Sequence, residues 1–192
     1  GSAIWPHGRW RIELPGEANH AGTTRLADRD DPMLAYARLI LAARAVADRR
    51  GCVATMGKVL VAPNGVNAIP SQVTAWLDAR GPDPEQVRGL VGELGELATA
   101  AGGRLAAESW TDVTAFDATL TDRLRAVLPD APVLDTGAGH DAGILANAGV
   151  PAAMLFVRNP SGISHSPAEH AEPADCHQGV RALARLVQEL AG

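Results

Sequence analysis

Apolar and polar positions alternate at the start of the chain. Trp10, Ile12 and Leu14 are separated by Arg9, Arg11 and Glu13, a period of two that predicts a strand with one buried and one wet face, ended by Pro15-Gly16. A helix is predicted from about Pro32 to Arg50, with Asp31 as N-cap, Pro32 at the first position, Arg49-Arg50 at the negative end and Gly51 as the stop. Val53 to Ala62 and Ala68 to Arg80 read as two strands joined around Pro63-Asn64-Gly65, where Asn-Gly is a strong hairpin signal. A second helix follows from Pro84 to about Ala101, capped by Asp83 and closed by Gly102-Gly103. Gly89, Gly92 and Gly95 each cost it about 1 kcal/mol relative to alanine, so it depends on packing. Arg104 to Trp110 reads as a fourth strand.

The order β-α-β-β-α-β predicts a ferredoxin-like α+β domain over residues 7–113, an antiparallel sheet with both helices on one face. Beyond it, in residues 114–192, the pattern becomes helix (about 118–128), short strand (Val133, Leu134), helix (about 141–148), apolar strand (Ala152 to Val157) and helix (about 176–191). Buried apolar strands alternating with helices predict pieces of a mostly parallel, helix-covered sheet. Two strands are too few for one, so an incomplete α/β portion is expected.

Composition narrows the partners. The chain has 192 residues, 46% apolar, with a net charge of -5 and no Lys/Arg cluster, which suits a globular protein and argues against nucleic acid or an anionic membrane. The longest apolar windows, Leu34 to Ala47 and Gly143 to Val157, carry Arg38, Arg44, Asn147 and Pro151 and are too short to span a bilayer. Gly1-Ser2 resembles a cloning scar, and no signal peptide follows it. Cys52 and Cys176, 124 residues apart in no metal or redox spacing, are expected as two buried free thiols in a reducing, cytoplasmic compartment.

Candidate chemistry falls on polar loops at strand ends. The run Gly162-Ile163-Ser164-His165-Ser166-Pro167 presents an imidazole where packing gives little reason for one, which points to ligand or catalytic use. A single histidine cannot hold a catalytic ion, which needs three or four protein ligands. Thr136-Gly137-Ala138-Gly139-His140-Asp141 follows the short strand; His140 reads equally as a structural hydrogen-bonding group or a substrate contact, and Asp141 as its orienting partner or as a helix cap. Asn19-His20-Ala21-Gly22-Thr23-Thr24 is either a loop that admits a ligand to the backbone or a turn with an exposed histidine. Asn67 and Arg80 would lie about 40 Å apart on a straight strand and could meet one ligand only if the chain bends at Pro70 or loops before it. Arg80 also shares a strand face with Asp78, where an ion pair competes. His7, in an unstructured entry, and His170 and His177 are expected on the surface.

Together, Asn19 to Thr24, Pro63 to Pro70, Asp78-Ala79-Arg80, Gly137 to Ala142 and Gly162 to Pro167 resemble the M20 metallopeptidase-like amidohydrolases, in the branch of allantoate amidohydrolase and N-carbamoyl-L-amino acid hydrolase. The resemblance runs in order through nearly the whole chain and covers the family's C-terminal half: the lid, or dimerisation, domain and the end of a zinc-peptidase-like catalytic domain. It implies a homodimer with two divalent ions (zinc, manganese or cobalt) beside a glutamate base, whose ligands mostly precede the lid. By that resemblance His165 is the last metal ligand and His20 the lid histidine that stabilises the oxyanion in the neighbouring subunit's site. Asn67 and Arg80 would hold the substrate carboxylate, and Gly137, Ala138, Gly139 and His140 would line the pocket. Arg25 replaces a common proline and Gly81 a larger residue, departures that bear on substrate preference.

The expectation is therefore part of an amidohydrolase cleaving the ureido C–N bond of allantoate or an N-carbamoyl amino acid, inactive as an isolated chain. A dimerisation module, or a regulatory domain binding small acids through Asn67 and Arg80, are the alternatives.

Overall fold

The structure is a computed structural model that describes residues 1–192. In chain order its elements are β1 (Ala3–Ile4), β2 (His7–Pro15), β3 (Asn19–His20), α1 (Pro32–Arg50), β4 (Val53–Ala62), β5 (Ala68–Ile69), β6 (Gln72–Arg80), α2 (Pro84–Ala100), β7 (Arg104–Thr111), β8 (Thr114–Ala115), α3 (Ala118–Val127), α4 (Asp141–Asn147) and α5 (Pro173–Ala191). They form two compact units, residues 5–113, and residues 1–4 with 114–192.

Residues 5–113 hold a four-stranded antiparallel sheet in the order β4-β6-β2-β7. The period of two sends Trp10, Ile12 and Leu14 of β2 and Val73, Ala75, Leu77 and Ala79 of β6 into one core with Leu39, Ala43 and Val46 of α1 and Val87, Leu90, Leu94 and Ala98 of α2. The caps act as the sequence predicts. Asp31 accepts from the Met33 N–H at 3.0 Å, Asp83 accepts from the Glu85 N–H at 2.8 Å, and Gly51 ends α1 at φ +63°. His7 is not part of an unstructured entry: it opens β2, half-buried, and its Nδ1 meets the Trp5 carbonyl at 2.9 Å. The strands joined around Asn64-Gly65 do pair antiparallel, but not through a tight two-residue turn. Ala62 pairs with Gln72, so nine residues connect the strands, and Asn64 takes a positive φ of 59° inside that longer loop. Proline at position 70 has no N–H to give a ladder, which divides the predicted strand from Ala68 to Arg80 into β5 and β6.

Packing compensates α2 for its glycines, since Val87, Leu90, Leu94 and Ala98 are fully buried at helical spacing. At Gly89 a Cβ would collide with the Arg50 guanidinium, whereas Gly92 and Gly95 face open space. We expect Gly92→Ala and Gly95→Ala each to stabilise by about 0.5–1 kcal/mol and Gly89→Ala to destabilise, read as shifts of the urea midpoint.

The passage held open by Gly89 serves an ion-pair cluster. Arg50 donates through Nε and Nη2 to Glu93 at 2.9 and 2.7 Å and through Nη1 to Gln86 at 3.1 Å, and Arg49 reaches the other Glu93 oxygen at 2.7 Å. Hydrogen bonding from Arg50 chiefly holds the Glu93 carboxyl below its ordinary value of 4.5. A carboxylate depressed by folding stabilises the native state above its unfolded pKa, and that contribution disappears as pH falls through the folded value. Glu93→Gln is therefore expected to lower stability at neutral pH and to converge with the parent chain in acid below that range, measured by urea unfolding at several pH values.

Residues 1–4 and 114–192 depart further from expectation. The helices form, α5 beginning at Pro173, but neither Val133-Leu134 nor Ala152–Val157 is a strand. In place of a parallel sheet there is a two-residue antiparallel pairing of β1 with β8 and a parallel bridge between Ile4 and Thr136. The reason is a shortage of partners: a strand exists only where neighbours take its hydrogen bonds, and no backbone N–H from Ala152 to Asn159 donates to another residue. The small core here comprises Ile4, Phe116, Ala142 and Ala152. Gly1 and Ser2, which resemble a scar, are engaged: the Gly1 ammonium donates to the Met154 carbonyl at 2.7 Å and the Ser2 N–H to the Leu134 carbonyl at 2.8 Å. Cys176 is exposed rather than buried, and Cys52 is half-buried, its thiol pKa pushed up by burial. No helix is long and apolar enough to cross a membrane.

Candidate functional site

In residues 5–113, β3 and β5 form a short antiparallel ribbon that places His20 opposite Ala68, and the Ala21 N–H donates to the Asn67 carbonyl at 2.9 Å. Buried Ile69 anchors the ribbon. Sequence therefore separates His20 from Asn67 by 47 positions, but backbone pairing makes them neighbours. The imidazole is oriented locally: its Nδ1 accepts the Gly22 N–H at 3.0 Å, which leaves the proton of the neutral ring on Nε2, exposed as a donor. A Cβ at position 22 would come within 3.1 Å of the ring, so glycine permits this approach. Arg29 braces the loop by donating to the carbonyls of Ala21 at 2.6 Å and Thr24 at 3.0 Å. Nothing in the sequence singled out Arg29, because its role lies in closing a loop whose shape no motif encodes.

Arg80 is at the other end of β6. Its Nε donates to Asp78 Oδ1 at 2.8 Å and its Nη2 to both carboxylate oxygens at 2.6 Å, with Arg9 3.7 Å from Asp78 on the same sheet face. The competing ion pair is thus formed, and it holds the guanidinium in place. Gly81 fits here because a Cβ would meet the Cys52 sulfur at 2.8 Å. The chain does break at Pro70, as the meeting of Asn67 and Arg80 requires, yet Gln72 to Arg80 remains extended over about 26 Å. Within residues 5–113, Arg80 is not brought together with Asn67 and His20 around one small ligand.

In the unit of residues 1–4 and 114–192, His140 itself is the N-cap of α4, its Nδ1 accepting the Ala142 N–H at 3.0 Å. Asp141 is the first helical residue and not the cap, favourable there against the positive helix end. The preceding Gly137-Ala138-Gly139 turn is fastened by the Ala138 N–H on Thr136 Oγ1 at 3.0 Å. His140, Leu155, Val157, Cys176 and Val180 line a cleft of about 410 Å³. His165 stands exposed at φ +56°, a left-handed conformation rare outside glycine, with its N–H donated to the Glu169 carboxylate at 2.9 Å. Asn159 ties the same loop through Ser161, Gly162 and Ile163. His165 offers one nitrogen, and nowhere do three His, Cys, Asp or Glu side chains gather to hold a metal ion, so this chain's residues alone do not fit such a group. His170 and His177 are exposed, as expected of surface residues.

Comparison with known proteins adds to this geometry. The family described as Peptidase family M20/M25/M40 matches residues 87–189. An allantoate amidohydrolase of Escherichia coli (strain K12) is 34% identical over 99% of this chain and 49% of its own length. An N-carbamoyl-L-amino acid amidohydrolase of Geobacillus stearothermophilus is also 34% identical, over 94% of this chain and 47% of its own. Among solved structures, an amidase of the hydantoinase/carbamoylase family from Burkholderia vietnamiensis superposes with a TM-score of 0.86 at 28% identity, covering 98% of this chain and 48% of that one. The chain spans about half the length of the curated relatives it matches.

Proposed function

The chain belongs to peptidase family M20/M25/M40, and from that premise we propose that it is the lid and the closing part of the catalytic domain of an amidohydrolase acting on allantoate or an N-carbamoyl amino acid. Residues 5–113 serve as the ferredoxin-like lid, a reading supported by their strand order and by helices α1 and α2 sharing one core. The observation that carries the proposal is the His20 loop, which aims a fixed Nε2–H outward beside Asn67. A donor of that kind suits the negative charge that develops on the carbonyl oxygen when water adds to a ureido carbon. Arg80, oriented by Asp78, offers a planar fork for the substrate carboxylate, and the Gly137-to-His140 turn lines the pocket. Because Arg80 lies a strand length from His20, one site draws them from two protomers of a homodimer.

His165 serves as one ligand of a divalent metal centre whose other ligands lie outside this chain. A zinc, manganese or cobalt ion held there, with His165 as one ligand, would supply a water of lowered pKa. The purified chain alone is accordingly expected to release no ammonia from allantoate and no amino acid from N-carbamoyl substrates, with or without added metal. Metal-dependent turnover by the chain, free of host enzyme, would remove the proposal.

A dimerisation role within the same reading is favoured by a second observation. The outer face of α1 exposes Met33, Leu34, Ile40 and Leu41 next to the edge strand β4, which exposes Val59 and Leu60. Such an edge is a template for pairing with a second copy. Light scattering should give a dimer for the parent chain and a monomer for Leu41→Arg combined with Leu60→Lys.

A further inference from the structure

We propose that Arg29 is a positioning residue for His20: its guanidinium fixes the Ala21–Gly22 peptide plane, and that plane sets which ring nitrogen His20 presents outward. The inference rests on the functional reading above, in which the His20 Nε2–H meets the oxyanion. It adds a residue that acts through the histidine rather than on the substrate.

The coupling lies in one peptide group. Arg29 Nη2 donates to the Ala21 carbonyl at 2.6 Å, and the Gly22 N–H donates to His20 Nδ1 at 3.0 Å. That carbonyl and that N–H belong to the same planar trans peptide, on which they point in opposite directions. Holding the carbonyl towards Arg29 therefore turns the N–H towards the imidazole. No other group in the chain bonds either end of this peptide. Gly22 accepts either sign of φ, so the backbone alone leaves the plane free to turn over.

The loop around it is closed from the same side. Arg29 also donates through Nη2 and Nε to the Thr24 carbonyl at 3.0 and 3.2 Å, while the Thr24 N–H and hydroxyl donate to the His20 carbonyl at 3.1 and 2.8 Å. The brace is fastened to the scaffold beside it: the Glu17 N–H, just past β2, donates to the Asp30 carbonyl at 2.9 Å, and α1 starts at Pro32. The adjacent Asp28 is taken by Arg25 at 2.6 Å, and Arg29 forms no ion pair. Every hydrogen bond of this half-buried guanidinium thus goes to a main-chain carbonyl of the His20 loop. Lysine has the charge but not the planar fork that grips two carbonyls at once.

The test reads the Gly22–His20 hydrogen bond by NMR in the isotopically labelled chain, as the scalar coupling across it and as exchange of the Gly22 amide. We expect Arg29→Ala to abolish the coupling and to speed Gly22 exchange at least about 10-fold, with the amides of Ile12 and Ala75 unchanged. Arg29→Lys should lose the bond too. A bond that survives either substitution overturns the proposal. Acceleration of Ile12 and Ala75 together with Gly22 also overturns it, because Arg29 would then support the fold and not the ring. Turnover is assayed separately in the dimeric, metal-loaded enzyme proposed above. Arg29→Ala should lower kcat about 10- to 100-fold with KM little changed, the scale of a misplaced reacting group. In a His20→Ala background it should lower kcat no further, and losses that add in the double variant overturn the proposal. A Gly22 bond that depends on Arg29, with kcat indifferent to His20→Ala, leaves the brace in place and removes the functional reading. A kcat that falls with His20→Ala but not with Arg29→Ala does the reverse.

Discussion

Leu77→Ala is expected to cost residues 5–113 about 2–5 kcal/mol, a large share of the 5–15 kcal/mol typical of a domain. Leu77 is fully buried at the centre of β6, between Trp10 of β2 and the helices, so truncation leaves a cavity that its neighbours in a four-stranded sheet can fill only in part. The measurement is urea unfolding followed by tryptophan fluorescence, since Trp10, Trp76 and Trp110 all report on this sheet. Leu97→Ala, in the same unit, provides the contrast. That side chain is 45% exposed, so the same truncation should cost less than about 1 kcal/mol. A loss at Leu77 no larger than that at Leu97 would mean that the sheet is not the stabilising core. The two units differ in this respect: residues 5–113 share one continuous core, whereas the other unit buries only four hydrophobic side chains as a cluster.

The same asymmetry explains what was legible in the sequence. In residues 5–113 each local signal agrees with its surroundings. Asp31 and Asp83 cap, Gly51 stops α1, and the alternation of Trp10, Ile12 and Leu14 finds a helical layer to face. Where the reading failed there, a competing constraint decided: the proline at position 70 broke the strand, and pairing of β3 with β5 drew Asn64-Gly65 into a longer loop. In residues 114–192 the apolar run Ala152–Val157 carries a strand's composition without a strand's hydrogen bonds, and which segments pair with it cannot be read from composition. Candidate site residues divide similarly. The type and the exposure of His20 and His165 were readable, but the tautomer of His20, its proximity to Asn67 and the distance of both from Arg80 depend on register and loop closure.

That distance leads to the second large effect. In the dimeric, metal-loaded enzyme proposed above, His20→Ala should lower kcat by about 10²- to 10³-fold, the usual loss for one oxyanion donor. Arg80→Ala would remove the proposed bidentate, charge-assisted contact to substrate and should act chiefly through KM, with Arg80→Lys restoring charge but not the fork. Assayed with substrate well below the KM of either variant, each should be nearly inactive alone, yet their mixture need not be. If one site takes Arg80 from one protomer and His20 from its partner, a mixed dimer carries one doubly impaired site and one intact site. Random re-association of equal amounts should then recover about one quarter of parental activity, since half the dimers are mixed and each has one of two sites restored. Both residues in the same protomer would give no intact site in any combination. Ureido hydrolysis measured before and after subunit exchange separates the outcomes, and absence of recovery despite exchange would place Arg80 and His20 in one protomer, against the strand length that divides them here.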